Sequence, residues 1–474
     1  MTLAASAVLV SFLLYVLGMF FAGRREGHGP GRHRDRRHAS PGGAAPAPPP
    51  RLLFVFVLPC LDEELVIGAS LERLLALPER NWVALVVDDG SDDATAGIVE
   101  RFTDPRIMLL RRVPPRARQG KGEALNAAYR HIRHELVGTP GFAGYGRDEI
   151  VLVVVDADGR VEPGALSVVA PMFREPDVGA VQIAVRILNA ASGLLARLQD
   201  VEFVTYTEIF QRARSRIGSA GLGGNGQFTR LSALETLGSA PWSRCLTEDL
   251  DLGVHLVTEG WRTRFTPRTH VSQQGLVRLR PFLRQRTRWF QGHLQCIGVI
   301  PGIVRAQLRG RVVADLLITL TLPLLVLLTT FSVLAFYASL IAVATGGGQR
   351  MAETLTADYG VVLIVWVLVS FGVAPVCGYV YHRAERTSVP RAAGLGLLFT
   401  LYCYHWLPVG WLAVGRQLFR RSGWAKTRRV PEAPRESPPR PPGRPPRPPS
   451  PPSPPPPSRR AGAPPVRPPR ESVT

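Results

Sequence analysis

The 474-residue sequence has few cysteines, and they lie far apart along the chain. No two of them form a CxxC pair, so the sequence lacks both the ligand spacing of a zinc site and the dense pairing of a disulfide-rich secreted domain. Five thiols without such a framework are typical of a protein kept in a reducing compartment. The cysteines are Cys60, Cys245, Cys296, Cys377 and Cys403.

Acidic residues are also scarce, and the formal net charge is +20 at pH 7. Two low-complexity stretches carry most of this charge: residues 416–474 contain fourteen Lys and Arg against three acidic residues, and residues 23–51 contain seven against two. The region between them is close to neutral. Because the charge belongs to tails beside apolar segments, the sequence favours anionic lipid headgroups as the partner and argues against nucleic acid.

The first long apolar run, residues 3–22, contains no charged residue and is long enough to cross a bilayer. A cleaved signal peptide is the alternative, but no basic residue precedes the run, whereas Arg24 and Arg25 follow it. Since positive charge stays on the cytoplasmic side, we expect residues 1–22 to form a transmembrane helix. The domain that follows is then expected in the cytoplasm, at the plasma membrane.

Residues 23–50 are rich in Gly, Pro, Ala and Arg without periodicity, which predicts a disordered basic linker. From residue 51 onward, short β-branched apolar runs alternate with helix-like stretches. The apolar runs are 52–59, 83–89 and 150–158, and the helix-like stretches are 63–77 and 122–136. This alternation predicts an α/β domain over residues 51–295, with a parallel sheet covered on both faces. In such folds ligands bind at the carboxyl ends of the strands.

The chain is apolar again after residue 295, and residues 296–414 are expected to form interfacial and transmembrane helices. The apolar stretches are 312–345, 360–381 and 392–414. The first is too long for one upright span, so its beginning is expected to tilt or to lie along the interface. Residues 415–474 are Arg- and Pro-rich, which predicts a disordered tail. One span per stretch would place that tail outside, against the positive-inside rule, so a re-entrant segment or a hairpin within the first or last stretch is expected.

Two acidic motifs end strands of the predicted sheet. Asp156 and Asp158 close the third run, where two carboxylates one residue apart suit a divalent cation whose other ligands are diphosphate oxygens. Asp88 and Asp89 end the second run, where a buried carboxylate accepts hydrogen bonds from a base or a ribose. The alternatives are a polar strand terminus and an ordinary DG turn. Two acidic ends in one sheet favour the functional interpretation.

Two further motifs adjoin helix-like stretches. In QGKG at 119–122, the glycines and the helix N-terminus suit an anion, and Lys121 adds a charge. The alternative is a plain helix-start turn, and no Ser or Thr follows the lysine as a Walker A loop requires. In TED at 247–249, either a carboxylate acts as a general base or Thr247 caps a helix that has acids in its first turn.

The motif QRTRW at 285–289 lies in a basic stretch. Arginines pair well with phosphate oxygens, and the face of an indole stacks on a sugar ring. The alternative is an amphipathic interfacial helix, with arginines at the headgroups and aromatic residues in the boundary. The motif by itself leaves both interpretations open.

Taken in order, these motifs resemble those of the processive family 2 glycosyltransferases: the cellulose, chitin, hyaluronan and poly-N-acetylglucosamine synthases. The matching segments are DDGSDD at 88–93, DAD at 156–158, TED at 247–249 and QRTRW at 285–289, the last of which matches Q(Q/R)xRW. The resemblance covers residues 51–295, about half of the chain, and excludes the linker and the tail. It implies a GT-A nucleotide-sugar-binding domain with N- and C-terminal transmembrane helices, and inversion at the anomeric carbon.

The resemblance also implies roles for individual residues. Asp249 is the expected catalytic base, Asp89 the uridine-binding acid, and Trp289 the platform for the terminal sugar of the acceptor. The expected metal ligands, for Mg²⁺ or Mn²⁺, are Asp158 and Asp156. The residues expected to bind the nucleotide sugar are Asp62, Glu63, Asp88, Asp89, Lys121, Asp156, Gln285 and Arg288. Those expected to bind the acceptor are Trp289, Asn225, Gly226 and Glu248.

Two departures from the family pattern leave the sugar open. PCLDEE at 59–64 has Asp62 where the family has Asn, and GLGGNGQF replaces the acceptor loop of cellulose synthases. We predict a metal-dependent, inverting transferase that moves a hexose or N-acetylhexosamine from a UDP-sugar to a growing polysaccharide at the membrane. Transfer of one sugar to a lipid carrier and a non-catalytic membrane scaffold are the alternatives. The presence of Q(Q/R)xRW argues against the first, and the presence of Asp89, Asp158 and Asp249 argues against the second.

Overall fold

The computed structural model describes residues 2–24, 50–345 and 371–419. Most of the predicted linker at 23–50 and of the predicted tail at 415–474 therefore lies outside the described residues. The described residues belong to one unit, Met1–Pro431, and a second unit, Glu432–Thr474, lies wholly outside them.

A mixed eight-stranded sheet forms the centre of the region that the sequence predicts as an α/β domain. Its strands are β1 (Leu53–Cys60), β2 (Trp82–Asp88), β3 (Ile107–Arg111), β4 (Ile150–Val154), β5 (Arg160–Val161), β6 (Val178–Ile187), β7 (Gln227–Arg230) and β8 (Arg262–Gln273). They are arranged in the order β3-β2-β1-β4-β7-β6-β8-β5. The first four are parallel, whereas β7 runs antiparallel to both β4 and β6. The predicted parallel sheet is thus confirmed for one half, and the other half is mixed.

Helices cover both faces of this sheet. They are α2 (Ile67–Leu75), α3 (Thr95–Glu100), α4 (Lys121–His131), α5 (Ala165–Val169), α6 (Leu194–Tyr206), α7 (Arg212–Ile217), α8 (Leu231–Thr236) and α9 (Glu248–Thr258). Alternate residues of β1 enter opposite cores: Phe54 and Phe56 pack on one face, and Val55 and Val57 pack on the other. The strands are apolar along their whole length because helices cover both faces of the sheet and exclude water from them.

The apolar helices after the sheet follow the amphipathic helix α10 (Leu279–Cys296) and the short helix α11 (Ile300–Arg305). They are α12 (Gly310–Thr345), α13 (Ala374–Glu385), α14 (Val389–Cys403) and α15 (Trp406–Leu418). Because α12 is one continuous helix of 36 residues, a hairpin within 312–345, one of the expected alternatives, does not form. Part of the predicted stretch 360–381 lies outside the described residues. Among the residues that the structure describes, two segments are long and apolar enough to cross a membrane, Gly310–Phe331 and Val389–Leu418.

The N-terminal helix α1 (Thr2–Arg24) extends over the predicted transmembrane run. Val16 and Phe20 of α1 pack in one apolar cluster with Val201 of α6 and with side chains of α13 and α14. A separate cluster joins Phe290 of α10 to Val409 of α15. The sheet domain therefore contacts the apolar helices through α6 and α10, and both of these helices also reach the candidate site.

Candidate active site

The loops after β1 and β2 are connected by short polar side chains. The N–H of Asp62 donates to the Ser91 hydroxyl at 2.9 Å, and the Asp62 carboxylate accepts the N–H of Asp92 at 2.9 Å. The N–H of Glu63 donates to Thr95 Oγ1 at 2.7 Å. Since β1 and β2 are parallel neighbours, these bonds hold both loops at the same edge of the sheet. This is the edge where a nucleotide is predicted.

Asp89 forms a buried ion pair with Arg112, the residue that follows β3. Both side chains are 8% exposed. Burial raises the pKa of Asp89 above its ordinary value, and the charge of Arg112 opposes that rise. Asp88 is buried beside it, and its carboxylate accepts the N–H of Ser91 at 3.1 Å. The DDGSDD motif predicted both acids but not Arg112. The pair Arg111 and Arg112, at the end of the neighbouring strand, is a sequence signal that could have indicated a basic partner.

Gly90 makes the turn between these acids and the next helix possible. Its φ is +80°, and a Cβ at this position would lie 2.9 Å from the Cβ of Ala117. Its carbonyl oxygen accepts two bonds from the Arg118 guanidinium, at 2.9 and 2.7 Å. Basic side chains therefore lie around the acidic turn at this edge of the sheet. The positive φ and the close contact with Ala117 explain why a glycine follows the two acids.

Asp156 and Asp158 lie in the turn that follows β4. The carboxylate of Asp156 accepts from Lys121 Nζ at 2.6 Å, and that of Asp158, which is almost fully buried, accepts the N–H of Gln274 at 3.2 Å. Within residues 2–24, 50–345 and 371–419, no group of three His, Cys, Asp or Glu side chains could hold a metal ion. Mg²⁺ is usually bound by one or two carboxylates plus substrate phosphates, so this oxygen pair fits such an ion when a diphosphate completes its ligands.

Lys121, the first residue of α4, connects the acidic turn to the loop before β7. Its Nζ donates to Asp156 and to the carbonyl of Gly224, both at 2.6 Å, and lies 3.9 Å from Glu248 Oε1. Burial lowers the pKa of Lys121, but the charges of Asp156 and Glu248 outweigh burial and raise that pKa above its ordinary value. The lysine is therefore held as a cation between the predicted donor and acceptor residues, and its partners in the structure are two carboxylates and a backbone carbonyl.

The predicted acceptor loop divides into two parts. The carbonyl of Asn225 accepts from Gln182 Nε2 at 2.9 Å, which fixes the loop against β6. Gly226 has a φ of +74°, its N–H and C=O bond to the backbones of β4 and β6, and a Cβ there would lie 2.7 Å from two apolar side chains. Gly226 is therefore packed within the sheet, whereas Gly224 and Asn225 reach the cavity described below.

The TED motif begins α9. Thr247 occupies the position before the helix, but its side chain makes no capping hydrogen bond, so the interpretation of Thr247 as a side-chain cap is wrong. The carboxylate of Asp249 accepts the N–H of Leu250 at 2.8 Å. Burial raises the pKa of Glu248 to about 7 and raises that of Asp249 above its ordinary value, while the charge of Lys121 opposes both rises. Burial thus favours the protonated form of both carboxyl groups more than water does.

The QRTRW motif lies on α10, which packs directly against the TED segment. A Cβ at Gly292 would lie 2.6 Å from the backbone nitrogen of Thr247, so only glycine permits this approach. Gln285, Arg288 and Trp289 have the i, i+3, i+4 spacing that places residues on one helix face. Arg288 Nη1 donates to the carbonyl of the residue before Thr247 at 3.5 Å. Acidic helix and basic helix therefore face the same space.

That space is a cavity of about 810 Å³. The predicted site residues that line it are Glu63, Lys121, Asp156, Asn225, Glu248, Asp249, Gln285, Arg288 and Trp289. The predicted residues that do not line it are Asp62, Asp88, Asp89, Asp158 and Gly226. Its apolar wall comes from α12, α14 and α15 and includes Ile318, Leu322, Pro323, Leu325, Val326, Val333, Phe399 and Leu407. One cavity thus joins the carboxylates of α9 to helices able to cross a membrane.

Three lining or neighbouring residues escaped the sequence analysis. Arg286, inside the QRTRW motif, forms a buried ion pair with Glu202 of α6, and Tyr402 of α14 donates to the same carboxylate at 2.7 Å. No local pattern marks these contacts, because 84 residues separate Arg286 from Glu202 and 200 separate Glu202 from Tyr402.

Two curated proteins illustrate what this chain is similar to in sequence. The chain is 30% identical over 260 residues to a β-monoglucosyldiacylglycerol synthase of Synechocystis sp., covering 54% of this chain and 50% of the relative. It is 25% identical over 241 residues to a poly-β-1,6-N-acetyl-D-glucosamine synthase of Staphylococcus aureus, covering 50% of this chain and 54% of the relative. The chain therefore matches about half the length of these curated relatives.

A solved structure shares the fold. The mannosyltransferase PcManGT from Pyrobaculum calidifontis, in complex with GDP-Man and Mn²⁺, superposes with a TM-score of 0.53 at 19% identity, covering 82% of this chain and all of that one. The sheet order and the site at the strand ends accordingly belong to a GT-A-like fold. The family profile described as "Glycosyltransferase like family 2" matches residues 49–292, which contain all four motifs. This chain belongs to glycosyltransferase family 2.

Proposed function

We propose that this protein transfers one sugar from a UDP-sugar to a hydroxyl group of a membrane lipid. The observation that carries the proposal is the single cavity that begins at the buried carboxylates of α9 and continues between the apolar helices. A lipid acceptor would place its hydroxyl at the charged end and its acyl chains at the apolar end. The volume of about 810 Å³ lies in the range of about 300–1,000 Å³ that is usual for ligand pockets.

The apolar wall supports a lipid over a glycan as the occupant. Side chains such as Leu322, Val326 and Phe399 offer no hydrogen-bond partner to sugar hydroxyls, whereas they would bury acyl chains favourably. The relative named as a β-monoglucosyldiacylglycerol synthase supports the same substrate class. The polymer that the sequence predicts is therefore the second candidate, supported by the QRTRW motif and by the relative named as a poly-β-1,6-N-acetyl-D-glucosamine synthase.

The exposure of the apolar helices supports a membrane location. Only 33% of the apolar window in Gly310–Phe331 and 22% of that in Val389–Leu418 are buried within the protein, whereas a core helix of a soluble protein is mostly buried. Large side chains such as Leu328 and Leu401 face outward. Exposed apolar surface of this kind marks a membrane or an interface. We propose a multi-pass protein of the plasma membrane, with the sheet domain in the cytoplasm.

In the proposed reaction, the carboxylate of Asp249 takes the proton of the acceptor hydroxyl. The hydroxyl oxygen forms a bond to the anomeric carbon of the donor as the bond to UDP breaks, which inverts that carbon. Lys121 favours the ionised form of this carboxyl group through its positive charge. Gln285 and Arg288 bind the departing diphosphate from α10. Glu248, with Asn225 of the facing loop, lies on the acceptor side of the cavity.

The donor nucleotide is proposed to bind at the strand ends beside the cavity. Asp89, fixed by Arg112, accepts from the uracil or ribose, with Asp88, Asp62 and Glu63 shaping the loops around it. Asp156 and Asp158 would hold Mg²⁺ or Mn²⁺, which neutralises charge on the diphosphate. Excess EDTA should then abolish turnover, and added Mn²⁺ should restore it. Full turnover in EDTA would contradict the metal assignment.

The decisive experiment offers membranes containing the protein a choice of donors and acceptors. Labelled UDP-glucose, UDP-N-acetylglucosamine and GDP-mannose are each supplied with diacylglycerol or with a β-linked oligosaccharide. We expect a UDP-sugar and diacylglycerol to give a product with one added sugar. A ladder of lengthening oligosaccharides would select the polymer instead, and preference for GDP-mannose would overturn the uridine assignment.

The proposed orientation is tested separately in intact cells. Thr103 lies exposed in the sheet domain, so a Thr103→Cys variant offers a thiol on that side of the membrane. A thiol reagent that cannot cross membranes should label this variant no more than the unmodified protein until the cells are opened. Labelling in intact cells would reverse the orientation.

A further inference from the structure

Arg286 is a fully buried cation in a helix whose neighbouring arginine is exposed. Its side chain is 1% exposed, whereas Arg284, two residues earlier on α10, faces solvent. A buried charge is unfavourable unless the surrounding groups compensate it. The placement of Arg286 at the wall of the cavity therefore requires a specific arrangement of partners.

The charge of Arg286 is compensated by an acid from another helix. Arg286 Nη2 donates to Glu202 of α6, and Tyr402 of α14 donates to the same carboxylate oxygen at 2.7 Å. Arg286 Nη2 also lies 3.4 Å from the Tyr402 hydroxyl. The guanidinium is thus held by one group from the sheet domain and one from a helix able to cross a membrane.

The rest of the guanidinium contacts aromatic rings. Its central carbon lies 4.1 Å from the ring centroid of Trp289, 5.0 Å from that of Phe282 and 5.8 Å from that of Trp406. In the part of the chain that the structure describes, its Nε and Nη1 have no hydrogen-bond partner. Cation–π attraction to the rings is therefore the main contact on that side, and Trp gives the strongest such attraction.

Trp289 is held between this cation and a second ring. The edge of Phe203, from α6, meets Trp289 at a centroid distance of 6.3 Å and an interplanar angle of 83°. Trp289 itself lines the same cavity as Asp249 and is only partly buried. An indole ring that lines the same cavity as this carboxylate offers a surface on which the polar end of an acceptor can pack.

We propose that Arg286 is a positioning residue that sets the plane of Trp289, and thereby the placement of the acceptor hydroxyl. Glu202 and Tyr402 in turn hold the guanidinium. This inference rests on the proposed transfer to an acceptor in the cavity. It assigns Arg286 no contact with the donor, so binding of UDP and slow hydrolysis of the UDP-sugar by water do not depend on Arg286.

The test compares Arg286→Met with Arg284→Met, a matched control on the exposed side of the same helix. For Arg286→Met we expect kcat/KM for the acceptor to fall by roughly 10- to 100-fold, because small misplacements of a reacting group have effects of this size. Donor KM and donor hydrolysis should stay at wild-type values, and Arg284→Met should behave as wild type. Equal acceptor kinetics in the two variants, or a parallel loss of donor hydrolysis in a folded Arg286→Met protein, would overturn the proposal.

Two further variants separate positioning from stability. Arg286→Lys keeps the ion pair with Glu202 but loses the planar stack on Trp289, so a folded Arg286→Lys protein should still show a raised acceptor KM. An unchanged KM in that variant also counts against the proposal. In a Trp289→Leu background, Arg286→Met should cause little further loss, since coupled residues are not additive. Fully additive losses would show that the two residues act independently.

Different results would contradict the proposed acceptor and the proposed role of Arg286. If the wild-type protein extends the oligosaccharide and ignores diacylglycerol, the lipid acceptor is wrong, and the same four variants are then compared on the oligosaccharide. If the wild-type protein uses diacylglycerol but Arg286→Met matches Arg284→Met, the lipid acceptor stands and the positioning role is wrong.

Discussion

The two ends of the cavity differ in the type of side chain that lines them. At the charged end, Lys121 and the carboxylates Asp156, Glu248 and Asp249 lie on the ends of strands and helices and hold each other by ion pairs and hydrogen bonds. At the other end, α12, α14 and α15 contribute mostly apolar side chains, interrupted by hydroxyl groups such as those of Thr319, Thr329 and Thr400. In the proposed function, the charged end transfers the proton and binds the donor, and the apolar end selects the acceptor.

This difference separates the features that the chain shares with its family from the features specific to this chain. The charged end contains the motifs shared with its family, in which glycolipid synthases and polysaccharide synthases both appear among the relatives. Chemistry common to both products cannot distinguish them. We therefore propose that the choice of acceptor is made at the apolar end and at α10, which connects the two ends.

The strongest way to disable the charged end is Asp249→Asn. The amide keeps the shape of the side chain but cannot accept the proton, and general-base catalysis contributes about 10²–10⁴-fold in rate. Transfer should fall by that order while UDP affinity, measured by calorimetry, stays nearly constant. Glu259→Gln, on the exposed end of the same helix, is the control and should be neutral. Near-normal transfer by Asp249→Asn would remove the base assignment.

The donor side is tested by a pair of neighbouring arginines. Arg112 is buried against Asp89, whereas the side chain of Arg111 is 60% exposed. Breaking a buried ion pair by removing one partner costs about 3–5 kcal/mol, so Arg112→Met should lower the free energy of unfolding by that amount and weaken UDP binding. Arg111→Met should change stability by less than about 1 kcal/mol. Urea unfolding and UDP titration measure both. Equal effects in the two variants would show that the Asp89–Arg112 pair has no special role.

The pH dependence of transfer tests the electrostatics of the charged end. Burial raises the pKa of Glu248 to about 7 and that of Asp249 above its ordinary value, so transfer should increase as the pH rises toward and through about 7. The two groups titrate together, and the profile reports the pair. Because the pKa of these carboxyl groups is higher in the folded protein than in the unfolded chain, the folded state binds more protons. The free energy of unfolding therefore decreases as the pH rises through this range.

Lys121→Met should move that profile to higher pH. The charge of Lys121 lowers the pKa of both carboxyl groups, so its removal raises the pKa of both. The measurement is kcat/KM between pH 5 and 9, with Arg130→Met on the exposed face of α4 as the control. An unshifted profile for Lys121→Met would show that these carboxyl groups do not limit the rate.

The smallest expected effect comes from filling the apolar end. Leu322 lines the cavity, whereas Leu324 of the same helix is exposed. Leu322→Trp should raise the acceptor KM for long-chain diacylglycerol by roughly 10-fold, as expected for the loss of one or two buried methylene contacts. Short-chain diacylglycerol, donor hydrolysis and the Leu324→Trp control should be little affected. If chain length makes no difference in Leu322→Trp, the acyl chains do not occupy this part of the cavity.

Local sequence pattern alone determined several features of this protein. The apolar runs that end in Asp88 and Asp156 predicted parallel strands with acids at one edge, because buried strands must be apolar along their whole length and polar groups collect where they emerge. The order of the motifs indicated the family, which the family profile confirms.

Only the tertiary structure decided how the acids are compensated and where the acceptor enters. Arg112, Glu202 and Tyr402 carry no motif, and the burial that raises the pKa of Glu248 depends on α4, α9 and α10 meeting across more than a hundred residues. The structure also excluded one alternative, a hairpin within 312–345, and placed Gly226 in the sheet. A sequence pattern records the periodicity of one element, whereas ion pairs, cavities and dielectric environment arise only when distant elements pack together.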